Sequence, residues 1–363
     1  MTWADERARF PVFEHTAYLN AGTNGPLSRA TLTAMDELRA WEGEHGRGGR
    51  AYFDAMLERR EEVRALIAAE LHASPDDVAL TESTTQGVHV VVLGLGLGPG
   101  DEVVTTDVEH FGLAGPLAAS GASLVIVPVR GVQPDDLFDL LRSRITPRTR
   151  LVALSAISWL DGTVFPWREL REATGVPILV DGAQSVGAVP VDVESADFYT
   201  VSGQKWLCGP DLSGALFVRD AAALEPKLAG YPGAESYDIA RGTWEPKAGA
   251  RRYDPSFGAP SSVAGFQAAL TDLPAGRYER AAELVAHCRE LLLQHGYDVV
   301  TAPGQSTLVS WRLPGDTEAA VAALYERGIV VRELPGTGLL RASVGWWNDE
   351  TDLQRLVDAL ADL

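Results

Sequence analysis

The run Val201-Ser202-Gly203-Gln204-Lys205-Trp206-Leu207-Cys208-Gly209-Pro210 decides how this chain is read. Its lysine sits between an apolar strand-like stretch and a Gly-Pro turn, where simple solvent exposure is not the natural outcome. Upstream, a second apolar run, Pro177-Ile178-Leu179-Val180, stops abruptly at Asp181-Gly182-Ala183-Gln184-Ser185. An Asp before Gly could simply cap a turn. After four apolar or Pro residues, however, the Asp181 carboxylate belongs near a buried sheet edge, where a charge needs a partner.

The pattern on either side supports such a sheet. Short β-rich runs over 78–80, 102–105, 123–128, 150–154, 178–180, 198–201 and 215–218 alternate with helical segments near 86–93, 113–119, 134–144 and 167–173. This order predicts an α/β fold with a large, mainly parallel seven-stranded sheet, helices on both faces and ligand sites at the strand C-termini. Residues 1–27 read as an irregular arm with an extended segment at 17–20, and helical periodicity covers 29–44 and 53–71. The stretch 228–262 is rich in Gly, Pro and Arg and has no period, so it reads as a long irregular connection of the functional kind. A helix follows from 262 to about 294, with a break near Pro274-Ala275-Gly276. Strands near 298–301, 307–312, 330–333 and 339–343 and helices near 316–327 and 350–360 complete the chain. The expected division is an arm over 1–27 serving the small domain and active site, a large domain over 28–255 and a smaller α+β domain over 256–363.

The bulk numbers narrow the function. A chain of 363 residues with 46% hydrophobic content has room for a large domain and a smaller partner. A net charge of −19 and a pI near 4.8 argue against a nucleic-acid groove or an anionic membrane surface. No apolar run reaches the roughly 18 residues that span a bilayer, and the first residues lack a basic-then-apolar signal pattern. The two cysteines, Cys208 and Cys288, form no metal-binding spacing. A reduced cytoplasm, no disulfide framework and no metal site are the expectation.

Four further constellations carry potential chemistry. Thr81-Glu82-Ser83-Thr84-Thr85-Gln86-Gly87 lies between a strand and a helix, where hydroxyls and free N–H groups favour phosphate, although such a stretch also reads as an ordinary cap. His110 follows a strand in Asp107-Val108-Glu109-His110 and could stack on a planar ring or shuttle protons; a lone loop histidine is otherwise merely solvated. Ser202 and Gln204 flank Lys205 as possible phosphate donors. Arg341, in Leu339-Leu340-Arg341-Ala342-Ser343, could clamp a carboxylate bidentately or serve a structural ion pair.

A lysine and a carboxylate at successive strand ends are what pyridoxal 5′-phosphate chemistry requires. The amine forms a Schiff base with the cofactor aldehyde, and the carboxylate keeps the pyridine nitrogen protonated so that the ring is an electron sink. The chain resembles the class V aminotransferase family of fold-type I pyridoxal phosphate enzymes, which includes cysteine desulfurases, C–S lyases, isopenicillin-type epimerases and aminotransferases. The resemblance runs from Tyr18-Leu19-Asn20-Ala21-Gly22 to Arg341-Ala342-Ser343, and its most specific parts are Asp181-Gly182-Ala183-Gln184 and Lys205 to Pro210. It implies that Lys205 holds the cofactor and shuttles the Cα proton, that Asp181 pairs with the ring nitrogen, that Gln184 lies near the ring oxygen and that His110 stacks on the ring. Thr84, Thr85, Ser202 and Gln204 would hold the phosphate, and Asn20, Ala21 and Arg341 the substrate carboxylate. It also implies a homodimer with a shared active site, in which the 231–262 stretch reaches the partner's site.

Departures from the family pattern bear on the reaction. Desulfurases carry a catalytic cysteine on a loop shortly before the Arg341 position, whereas Arg332-Glu333-Leu334-Pro335-Gly336-Thr337-Gly338-Leu339-Leu340 has none. Cys208 belongs to the turn after Lys205 and reads as structural. Gln204 stands where many relatives have His. Trp159 falls at the place of a ring-contacting Asn, with Ser158 beside it as a further cofactor contact, and Ala259 at the place of a cross-subunit phosphate-binding Thr, with Ser261 and Ser262 nearby. Trp159, Trp346 and Trp347 suggest either an aromatic-walled pocket or core packing. All candidate reactions start with loss of a Cα proton from an amino-acid substrate. Without a persulfide cysteine, β-elimination by a C–S lyase is the first expectation, followed by aminotransfer and then epimerisation. A catalytically silent protein on the same fold is the non-enzyme alternative.

Overall fold

The computed structural model describes residues 2–363. Its largest sheet has seven strands in the order Val78–Thr81, Gly214–Val218, Phe198–Ser202, Ile178–Asp181, Thr149–Ser155, Glu102–Thr106, Ser123–Val127. Only Gly214–Val218 runs against its neighbours. The strands Val78–Thr81, Ile178–Asp181, Phe198–Ser202 and Gly214–Val218 are buried at every position. This is why they read as continuous apolar runs rather than as an alternation. Register aligns the strand ends that matter: Ser155 pairs with Asp181, and Asp181 with Thr200. One core lies on each face of this sheet, one around Val152, Val180 and Tyr199, the other around Val91, Leu151 and Leu216.

A smaller body is built on a four-stranded antiparallel sheet in the order Asp298–Val299, Leu308–Arg312, Leu339–Ser343, Arg332–Leu334. Helices Arg277–Gln294 and Glu350–Ala361 cover it, and Ala17 and Leu19 of the arm complete its core. The arm is anchored by parallel pairing of Ala17 and Tyr18 with Ile329 and Val330. The expected break at 274–276 is present, separating helix Pro260–Thr271 from Arg277–Gln294. The first of these packs with Arg29–His45 and Arg50–Glu70, and its Phe266 joins the large core. Residues 256–363 therefore contribute to both cores.

Three local readings change. The arm contains a short helix, Trp3–Arg7, started by a reciprocal capping box between Thr2 and Asp5. The 228–262 stretch is not wholly irregular: Ala234–Asp238 and Thr243–Pro246 form an antiparallel hairpin, with 82%-exposed Ile239 at its tip. Trp346 and Trp347 are buried in the core against Phe10 and Trp206, so they wall no pocket. No helix among the described residues is long and apolar enough to cross a membrane.

Candidate active site

Lys205 follows the end of strand Phe198–Ser202, in a turn that three close approaches hold in place. A Cβ at Gly25 would lie 1.9 Å from the Lys205 carbonyl oxygen, so only glycine lets the 20–25 loop close over this turn. The Gly25 amide donates to the Gln204 carbonyl at 2.7 Å. From below, Phe266 packs where Cβ atoms at Gly203 and Gly209 would fall. The Lys205 ammonium has no ion pair among the described residues. Burial, aided by Arg341 and Arg332 and opposed by Asp181, lowers its pKa to about 8. An amine that titrates near neutrality is a ready nucleophile and base.

Asp181 ends strand Ile178–Asp181 and is buried. Its Oδ1 accepts from the Ala183 amide at 3.0 Å and from Thr200 Oγ1 at 3.2 Å. Its other oxygen has no donor among the described residues, leaving it free for a cation. Gln184 is committed at both ends. Its Nε2 donates to the Gly22 carbonyl at 2.8 Å, and its Oε1 accepts from Trp206 Nε1 at 2.9 Å. It thus ties the 20–25 loop to the lysine turn and keeps one N–H to spare.

His110 caps helix Phe111–Ala119, and its Nδ1 accepts from the Gly112 amide at 3.1 Å. The neutral ring therefore carries its proton on Nε2. Burial and then Lys205 lower its pKa, favouring that neutral form. The ring stands edge-to-face with Trp159 at 5.4 Å. A Cβ at Gly112 would come within 2.7 Å of Thr85 Oγ1, so the His110 turn seats against the next helix start. There, Ser83 caps helix Thr84–Gly94 by accepting from the Gln86 amide, and the Thr84 and Thr85 amides, in the first turn, have no intrahelical acceptor. Ser202 Oγ lies 3.3 Å from Gln204 Oε1.

The remaining predicted residues are placed as follows. Ser158 is buried, and its hydroxyl oxygen accepts from the Leu160 amide at 3.3 Å, inside its own turn. Asn20 Oδ1 accepts from Thr23 Oγ1 at 2.8 Å, and Ala21 is fully buried. Ser261 lies in the first turn of helix Pro260–Thr271.

Arg341 is fully buried. Nη1 donates to the Trp159 carbonyl at 2.7 Å, whereas Nε and Nη2 are buried without an acceptor. Burial, followed by repulsion from Arg332, brings its pKa down to about 9. Arg332 went unnoticed in the sequence. It pairs in register with Arg341 across two antiparallel strands, lies 5.9 Å from the Trp159 ring and donates to Thr23 Oγ1 at 2.9 Å. Two guanidinium groups thus meet beside Trp159 with donors to spare. Glu109 also escaped notice; its carboxylate lies between the strand ends at Thr106 and Ser155.

The turn before Arg341 is short. Pro335–Gly338 joins the two strands, Gly336 and Gly338 take left-handed conformations, and Thr337 bonds back to Leu334 through both its amide and its hydroxyl. The two cysteines lie away from solvent. Cys208 is buried in the lysine turn and Cys288 in the small-body core, and burial pushes both thiols up.

The family model for class V aminotransferases matches residues 17–356. The chain belongs to the class V aminotransferase family. It is therefore a pyridoxal-phosphate-dependent enzyme of that family. Isopenicillin N epimerase of Amycolatopsis lactamdurans is 30% identical over 399 residues, covering 99% of this chain and 98% of that protein. A cysteine desulfurase of Serratia proteamaculans is 32% identical over 237 residues, covering 59% of this chain and 57% of its own length. Among solved structures, the cystine C–S lyase C-DES with its product cysteine persulfide superposes with a TM-score of 0.90 at 26% identity, covering 98% of this chain and 99% of that one. A C-DES mutant with glycine linked to its pyridoxal phosphate gives 0.91 at 27% identity, with the same coverage.

Proposed function

We propose that this class V enzyme is a C–S lyase that performs β-elimination on a sulfur-substituted amino acid carrying a second acidic group, such as cystine. The observation that carries this reading is the Arg341–Arg332 pair beside a turn that holds no cysteine and is too tightly bonded to swing one into the site. Two unfilled guanidinium groups match two carboxylates, and sulfur that no enzyme thiol receives must leave with a fragment of the substrate.

The residues present fit pyridoxal 5′-phosphate. Lys205 would hold it through Nζ, Asp181 would pair with the ring nitrogen, Gln184 would approach the ring oxygen and His110 the ring face. The Thr84 and Thr85 amides and hydroxyls, with Ser202 and Gln204, would hold the phosphate, with Ser158 a nearby contact. When bound, the group supplies an electron sink for the carbanion at the substrate's Cα. Arg341, with Asn20 and Ala21, holds the substrate α-carboxylate and so fixes which Cα bond faces Lys205. Lys205 Nζ removes the Cα proton. The Cβ–S bond breaks, and the electron pair leaves on sulfur, which accepts a hydrogen bond from His110 Nε2–H and takes up the proton carried by Lys205 Nζ. Trp159 shields the sulfur side from water, and Arg332 holds the distal carboxylate.

We also propose a homodimer. The hairpin with Ile239 at its tip and the 81%-exposed Phe111 beside His110 are apolar surfaces that a second copy would cover, with Ser261 reaching the neighbouring site. Light scattering tests it, and a monomer at micromolar concentration would overturn it.

Pyruvate release from L-cystine, with the sulfur product trapped as a persulfide, tests the reaction. Pyruvate in step with persulfide is expected. Conversion to the amino-donor form without pyruvate would establish aminotransfer. Loss of optical activity without either product would establish epimerisation, the reading that the full-length likeness to isopenicillin N epimerase favours.

A further inference from the structure

Arg341 lies beneath a glycine. A Cβ at Gly22 would fall 2.8 Å from Arg341 Nη2 and 2.8 Å from Ser343 Oγ. Gly22 has no left-handed φ, so close approach and not conformation calls for glycine here. Arg341 and Ser343 stand two apart on strand Leu339–Ser343 and so face the same side of its sheet. Arg341 Nε, Arg341 Nη2 and Ser343 Oγ are buried and have no partner among the described residues. Keeping such groups buried and unpaired costs stability. The segment over them is anchored at its ends: the Ser343 amide donates to the Leu19 carbonyl and the Gly25 amide to the Gln204 carbonyl, each at 2.7 Å. Between these anchors, side chains hold it down. Gln184 donates to the Gly22 carbonyl and Tyr18 to the Asn24 carbonyl, each at 2.8 Å, and Arg332 donates to the Thr23 hydroxyl at 2.9 Å.

We propose that Ser343 Oγ completes the carboxylate subsite of Arg341, and that residues 20–25 are the lid that lifts to admit the carboxylate. The point beside Gly22 is at hydrogen-bond distance from both groups, so a carboxylate oxygen placed there accepts from the guanidinium and from the hydroxyl together. With Gly22 in place no such oxygen reaches them, because Arg341 is 1% exposed and Ser343 0%. Lifting Gly22 breaks the bonds from Gln184 and Arg332. These are the side chains that the proposed function assigns to the ring oxygen and the distal carboxylate, so ligands arriving at those places draw on the donors that keep the lid shut. A short segment with fixed ends and side-chain latches between them is built to swing as a unit.

The inference rests on the proposed reading of Arg341 as the α-carboxylate site, and not on the choice of reaction. The test mixes the holoenzyme with S-methyl-L-cysteine or with 2-(methylthio)ethylamine, the same molecule without its carboxylate, and follows binding through the cofactor's absorbance. Ser343→Ala should weaken the acid roughly tenfold, the loss of one hydrogen bond to a charged group, and leave the amine unchanged. Thr23→Val removes the Arg332 latch and should raise the association rate of the acid about fivefold, again without effect on the amine. Acid affinity that survives Ser343→Ala overturns the subsite, and acid association that ignores Thr23→Val overturns the lid. Arg341→Met checks the reading beneath: equal weakening of acid and amine would show that Arg341 takes no carboxylate, and the functional proposal would fall instead. Should these variants fail to fold, hydrogen exchange in the wild type decides the lid. The amides of Thr23, Asn24 and Gly25 bond to the Asn20 and Gln204 carbonyls, so their exchange reads its opening. The acid should change that exchange and the amine should not; equal exchange in the two complexes refutes the lid.

Discussion

Replacing Arg332 by Ala separates a specificity role from a structural one. Its guanidinium spends one donor on Thr23 Oγ1 and is only partly buried, so the substitution leaves no buried orphan beyond a hydroxyl that still reaches Asn20. On the proposed reading, what disappears is a charge-assisted contact to the distal carboxylate of a cystine-like substrate. Such contacts are worth about 1.5–3 kcal/mol, which is roughly a 10- to 150-fold fall in kcat/KM. A cysteine derivative with an uncharged S-substituent never makes that contact, so its kcat/KM should stay within about threefold of wild type, a scale below 1 kcal/mol. A second consequence is electrostatic. Arg332 helps to lower the pKa values of Lys205, His110 and Arg341, so its loss should move the acid limb of the pH profile upward. Pyruvate formation, followed through a coupled dehydrogenase across pH with both substrates, reads both effects. Equal losses on the two substrates would refute the distal-carboxylate role and reduce Arg332 to a support for the 20–25 loop.

Other outcomes are as definite. Gly25→Ala drives a Cβ into the Lys205 carbonyl with backbone on every side, so denaturant unfolding should show a loss of about 2–4 kcal/mol, from overpacking plus one broken hydrogen bond. Gly43→Ala, inside a helix with nothing within 4 Å, should instead gain about 0.5–1 kcal/mol. In cofactor-free protein Lys205 titrates near 8, below its ordinary value of 10.5, so the unfolded chain binds more protons between these pH values. Stability should therefore rise with pH across that window, and Lys205→Met should flatten the rise; identical pH curves would contradict the assignment. Cys208→Ala should leave kcat within about twofold, because a buried thiol with a raised pKa is no nucleophile; loss of turnover with retained cofactor binding would point to sulfur chemistry at Cys208.

How much of this was legible depended on whether a residue's role is local. Asp181 and Lys205 could be read because each interrupts an apolar run that is buried on both faces of a sheet. The break at 274–276 could be read from Pro and Gly. The hairpin over 234–246 could not, since its residues are mostly exposed on both faces and alternate in nothing. The capping box at Thr2 and Asp5 was present as a sequence signal and went unread. Arg332 stayed hidden because its partner is nine positions away and only the antiparallel register brings them together. Glu109 was quoted beside His110 yet passed over, because the loop turns one side chain toward Ser155 and the other toward Trp159. Gln184 was expected at the ring oxygen, but nothing in the sequence shows that Gly22 and Trp206 would claim both its ends.

The charge distribution gives these details a common cause. The chain carries 50 acidic residues against 31 basic ones, and its arginines are widely paired, including the buried Arg60 and Arg64 on Asp254. Among the described residues, Lys205, Arg332 and Arg341 nevertheless stand without a carboxylate partner, and two of them lie well below their ordinary pKa. Keeping cations unpaired and partly desolvated costs stability, since each would be better solvated in water. The Asp181 carboxylate nearby is itself turned, through Oδ1, toward Thr200 and Ala183. On the proposed reading, a site that withholds its cations from such an excess of acidic side chains would take anions that arrive with the ligands: a phosphate at the helix start, one carboxylate at Arg341 and a second at Arg332. Binding all three would restore the charge balance that the folded chain leaves open. On this argument the second carboxylate is the variable one, because it alone is supplied by the substrate's side chain, and Arg332 is the position at which members of the family with different substrates should differ.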